Sequence, residues 1–141
     1  MEREINLIVV HCSATPPSMD IGVETIKRWH TKKGWSDCGY HYVIKRDGSV
    51  EKGRPIQRPG AHAKGYNKNS IGICCVGGVD DQMNPEDNRT EAQKESLHLL
   101  LGGLYFQYNI EKIIGHNEVS SKACPSFSVP EWLEEINFYN T

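Results

Sequence analysis

An α/β domain built on a buried sheet is what this sequence predicts, and three features predict it. Short apolar runs, β-branched at residues 5–11 and near-continuous at 71–78, read as strands covered on both faces. Amphipathic helical repeats fall at 22–33, 90–108 and 130–136, giving about three helices. At 141 residues the chain can bury roughly two-thirds of the surface it would expose unfolded, so it is expected to form one domain over 1–141 without disulfide staples.

Composition narrows the function. A hydrophobic fraction of 38%, a charged fraction of 24% and a formal charge of −2 describe an ordinary globular protein. There is no basic excess to hold a nucleic-acid backbone, so nucleic acid is not an expected partner. Five cysteines make an odd count, and adjacent Cys74 and Cys75 would point to opposite faces of a strand, so at least one thiol is free and a mainly reduced chain is expected. The start, Met1-Glu2-Arg3-Glu4, is acidic as well as basic, and the run that follows is interrupted by Asn6 and too short for a signal core or a membrane span. Synthesis in the cytoplasm, no export signal and no membrane association are expected.

The first run, closed by Ser13-Ala14-Thr15-Pro16-Pro17, is a central strand that leaves His11 at its C-terminal end, where α/β sheets place their ligands. Alternation sends His11 and Cys12 to opposite faces, so only one can enter a site, and His11 is the choice. In the helix at 22–33, Val23, Ile26, Trp29 and His30 share a face and Gly34 ends the run. Trp29 and His30 are read as packing residues. Residues 40–46 and 49–51 flank Asp47-Gly48, a strong hairpin signal, and alternation along the first arm groups Tyr40 with Tyr42 and Ile44. Tyr40, at the entrance of that strand, could face a cavity.

Residues 54–69 form a long loop rich in Gly, Pro and polar side chains, and its aromatic and imidazole content favours a functional role. The strand at 71–78 buries its cysteines, and 80–89 is an acidic surface loop. Thr90-Glu91-Ala92-Gln93 resembles a capping box opening a helix whose stripe is Leu97, Leu100, Leu101 and Leu104, with Gly102-Gly103 a weak point. A last strand at 112–116 also ends in histidine, and 130–136 is a short helix with Pro in its first turn.

The chemistry concentrates in residues 115–125, which carry His116, Glu118, Lys122 and Cys124 ahead of Pro125. A folded-back loop could bring His116 and Cys124 onto one ion, and borderline-soft zinc takes this pair of ligand types. Lys122 would then lower the thiol's pKa toward the thiolate that metals bind. Taken alone, those two residues read more simply as a buried free thiol and a surface imidazole; the rest of the chain shifts the balance. With His11 the set reaches three, the count of catalytic zinc with a fourth position for water. His116-Asn117-Glu118 also matches the H-x-E of zinc nucleobase deaminases, but their P-C-x-x-C partner is absent.

Taken together, the motifs 10–15, 39–48, 62–67, 69–73, 116–119 and 122–127 resemble the zinc-dependent N-acetylmuramoyl-L-alanine amidases of the bacteriophage lysozyme type, relatives of peptidoglycan recognition proteins. The resemblance spans nearly the whole chain. It implies a central mixed β-sheet flanked by helices, Zn2+ on His11, His116 and Cys124, and cleavage of the amide between N-acetylmuramic acid and L-alanine. Tyr40 and Lys122 match the family's catalytic pair, and His62 and Lys64 match positions lining its substrate groove. The expected partner is peptidoglycan or its muropeptide fragments, met by a monomer that reaches the wall by a holin-type route. The alternative is a non-catalytic peptidoglycan-binding module, as in recognition proteins that lack the cysteine ligand; here Cys124 is present.

Overall fold

The computed structural model describes residues 3–140; Met1 and Glu2, half of the segment read as carrying no export signal, lie outside the described residues. The elements are β1 (Leu7–Cys12), α1 (Val23–Lys32), β2 (Tyr42–Ile44), β3 (Val50–Lys52), β4 (Ser70–Cys75), α2 (Glu91–Gln107), β5 (Lys112–Gly115) and α3 (Val129–Glu135). Single 3₁₀ turns occupy Asn67–Asn69, His116–Glu118 and Phe138–Asn140. The sheet runs β3-β2-β4-β1-β5, parallel except for the β2–β3 hairpin. This is the mixed sheet that the resemblance implied, with three helices as read from the sequence.

Parallel pairing in register puts residues of β1, β4 and β5 on common faces. Val9 stands between Gly72 and Ile114, and His11 beside Cys74. Alternation then sends Ile8, Val10, Ile71, Ile73, Cys75 and Ile113 to one face, where they bury against Leu97, Leu101 and Leu104 of α2 and Trp132 and Leu133 of α3. The other face carries Val43 and Cys74 under Ile26 of α1, and Val9 and Ile114 under Ala63 of the long loop. Because β1, β4 and β5 point the same way, their C-terminal ends open onto one edge of the molecule. His11 lies there on the α1 side and Cys12 does not.

The capping box forms as read. Thr90 Oγ1 accepts from the Gln93 amide at 3.0 Å, and Gln93 Oε1 accepts from the Thr90 amide at 3.0 Å. Gln93 is fully buried, and its side-chain amide also donates to the carbonyls of Ile44 (3.1 Å) and Val76 (2.9 Å), which docks the start of α2 onto β2 and the residue that follows β4. The helix runs unbroken through Gly102-Gly103.

Three expectations are corrected. The first hairpin arm is shorter than 40–46, and Tyr40, outside the β2 ladder, packs with Ile26, Cys38, Val43 and Cys74 rather than with Tyr42 and Ile44. Alternation holds only where a strand's pleat continues, and the chain leaves that pleat before Tyr42. Trp29 is 37% exposed, since the buried stripe of α1 is only as wide as Ile26 and His30. Arg89 turns inward from the surface loop: its guanidinium stacks 3.4 Å from the Phe127 ring and 4.7 Å from Trp132, and its Nε donates to Asp87 at 2.8 Å.

Candidate active site

His11 is the penultimate residue of β1, and His116 is the first residue after β5, so two neighbouring parallel strands deliver two imidazoles to one edge. Their ring centroids are 4.5 Å apart. Cys124 comes from the loop after the 3₁₀ turn, and that loop is tied down at several points. Asn117 Nδ2 donates to the Phe127 carbonyl at 3.2 Å, the Ser126 amide to Ala123 at 2.7 Å, and the Ser126 hydroxyl to Gly78 at 2.7 Å. Glu118, a possible acid in the H-x-E reading, instead accepts the Gly115 amide at 2.6 Å and caps its own turn. It is a structural residue.

The potential ligand atoms of His11, His116 and Cys124 all lie within 4.8 Å of one another. Nδ1 of His11 faces Cys124 Sγ at 3.8 Å, while Nε2 of His11 is occupied by His62 Nδ1 at 2.8 Å, so Nδ1 is the atom left for an ion. Two imidazole nitrogens and a thiol converging on one point fit a zinc ion in donor type, number and spacing. The Cys12 amide donates to Cys124 Sγ at 3.1 Å, a contact that favours negative charge on sulfur.

The electrostatics keep both imidazoles in the ligating form. Burial, followed by His62, His116 and Lys122, holds His11 well below its ordinary 6.5, and burial followed by Lys122 lowers His116. The neighbouring Cys12 thiol and burial push the Cys124 thiol up, so a cation is needed to make it a thiolate. Lys122 thus also bears on the two histidines, helping to keep both neutral. Burial first, and nearby thiols after it, push the Tyr40 phenol well above 10, which leaves it a neutral hydrogen-bond donor. Its ring lies 5.0 Å from that of His11.

A groove of about 430 Å³ opens beside these groups, lined by Trp35, Ala61, Lys64, Asn67, His116 and Lys122 among others. The structure thus brings His11, His116, Cys124 and Tyr40 together, puts Lys122 and Lys64 on the groove walls, and places His62 between groove and sheet. A larger cleft of about 620 Å³ over Arg89 and Trp132 contains none of these residues. Sequence reasoning gave no role to Ser70, whose Oγ lies 3.0 Å from His62 Nε2, or to Asn67, whose Oδ1 accepts the amides of His62 (2.9 Å) and Ala63 (3.0 Å). Both stand in the motifs 62–67 and 69–73, so the signal was present without an assigned job.

Residues 1–127 match the family model described as N-acetylmuramoyl-L-alanine amidase. The chain belongs to that family. It is 49% identical over 133 residues to an endolysin of Klebsiella phage KP32, covering 94% of this chain and 88% of the relative. To an endolysin of Escherichia phage T7 it is 52% identical over 128 residues, covering 91% and 85%. Among solved structures, the N-acetylmuramoyl-L-alanine amidase LysC from Clostridium intestinale superposes with a TM-score of 0.83 at 31% identity, covering 96% of this chain and 87% of that one. The relatives are matched along most of their length, so the likeness extends to the whole domain.

Proposed function

We propose that this amidase-family chain hydrolyses the amide between the lactyl group of N-acetylmuramic acid and L-alanine in peptidoglycan, using zinc held by His11, His116 and Cys124. The observation that carries the reading is the convergence of those three donors beside a groove lined by His116 and Lys122, with the Tyr40 ring 5.0 Å from that of His11. When bound, zinc supplies a Lewis acid for the scissile carbonyl and lowers the pKa of a bound water toward neutrality.

The protein's own groups would do the rest. Lys122, on the groove wall near both histidines, places an ammonium where negative charge develops on the carbonyl oxygen. Tyr40, held protonated by burial beside His11, donates a hydrogen bond to the attacking water or to the same oxygen. Neutral His11 and His116 remain ligands at the pH of the reaction. Lys64, which also lines the groove, provides a cation for carboxylates of the stem peptide. Among the described residues no helix is long and apolar enough to cross a membrane, and access to the wall by a holin-type route belongs to the same proposal.

Chelator dialysis followed by zinc addition tests the metal requirement. Wall-lytic activity should vanish with the chelator and return with about one equivalent of zinc. Full activity in a protein shown to be free of metal would overturn the zinc assignment.

A further inference from the structure

The resemblance puts His62 against substrate, but its ring is tied inward at both nitrogens. Nδ1 lies 2.8 Å from His11 Nε2, and Nε2 lies 3.0 Å from Ser70 Oγ, with His62 only 9% exposed and Ser70 fully buried. The packing is specific to this arrangement. A Cβ on Gly72 would sit 2.5 Å from Cγ of the His62 ring, and one on Gly60 would sit 2.5 Å from its Cδ2, so two glycines make the slot in which the ring lies. Ser70 and Gly72 share a face of β4, which makes one strand both the floor of the slot and the final hydrogen-bond partner. Asn67 fixes the backbone on the other side through the His62 and Ala63 amides.

We propose that His62 and Ser70 form a positioning relay that orients His11 as a metal ligand. The inference rests on the zinc reading of the preceding section. With an ion on His11 Nδ1, the proton of that ring must be on Nε2, where it donates to His62 Nδ1. His62 then carries its own proton on Nε2 and donates it to Ser70 Oγ. The three-residue chain selects one tautomer of His11 and one ring orientation, which lowers the cost of binding the ion. Partners of metal-bound histidines commonly contribute about 10–100-fold in metal affinity.

The test is zinc affinity by chelator competition, with apo-protein melting temperature and ¹⁵N histidine NMR of the zinc-loaded protein beside it. Wild type should show slowly exchanging Nε2–H protons on both His11 and His62. His62→Ala should lose the His11 signal and bind zinc about 10–100-fold more weakly. Ser70→Ala should lose the His62 signal, with a smaller loss of affinity, and Gly72→Ala should act like His62→Ala by expelling the ring. A merely structural role would lower the apo melting temperature while leaving zinc affinity unchanged. Should His62→Ala not fold, Ser70→Ala carries the test alone. Wild-type affinity in the folded variants overturns the relay and leaves the zinc reading standing, whereas absence of zinc binding by wild type overturns both.

Discussion

His11 Nδ1 lies 3.8 Å from Cys124 Sγ, although 113 positions separate the two residues in the chain. The β1–β5 pairing brings the two strand-end histidines together, and the tied loop after β5 brings the cysteine to them. Each of the three is needed for a complete ligand set.

Cys124→Ser and His116→Ala are therefore expected to abolish tight zinc binding. A ligand that binds only the folded state adds about 4 kcal/mol to stability at a thousandfold excess over its Kd. Wild-type melting temperature should accordingly rise with zinc while that of either variant stays flat. A full equivalent of tightly held zinc in both variants would refute the ligand set.

Tyr40→Phe and Lys122→Ala should keep zinc and fold but lose turnover. Loss of one donor to a developing oxyanion costs about 10²–10³ in rate. Metal titration beside steady-state kinetics separates this from a packing defect. Near-normal kcat in both zinc-loaded variants would remove these residues from the chemistry.

Much of this site could be read in the sequence, because its parts are strand ends. A β-branched run ending in histidine fixes both the element and the face, and His11 lies where that reading put it. His116 and Cys124 followed from ligand type and motif. What could not be read was whatever depends on contact across the sheet. Nothing in the local pattern around His62 says that its ring enters a slot made by Gly60 and Gly72, or that Ser70 meets it there. Alternation groups Tyr40 with Tyr42 for a related reason: the local pattern does not show that the pleat begins only at Tyr42. The inward turn of Arg89 depends on two aromatic rings some forty residues later.

That turn predicts a stability effect. Arg89 is held by Phe127, Trp132 and Asp87, and only a planar guanidinium can stack and pair at once. Arg89→Ala should cost about 1–3 kcal/mol, with a cation–π share of about 0.5–2. Arg89→Lys should recover little of it in urea denaturation. Recovery to wild-type stability would show that charge alone suffices.

The metal-free protein should lose stability below neutral pH. His41 is held at about 4 in the folded state, chiefly by burial, against an ordinary 6.5, and its Nδ1 accepts the Gly72 amide at 3.0 Å. Because the folded value is lowered, the unfolded chain binds the proton more tightly. The stabilisation is full above 6.5 and is lost as pH falls from there toward 4. The loss attributable to His41 is on the order of 3 kcal/mol. His41→Gln should flatten this part of the curve, and an unchanged slope would contradict the assignment.

The cut itself is the most direct test of the account. Peptidoglycan digested by the zinc-loaded protein and analysed by mass spectrometry should yield stem peptides with free L-alanine amino termini and intact glycan strands. New reducing ends without free L-alanine amino termini would mean cleavage of the sugar chain, and the amidase account would be wrong.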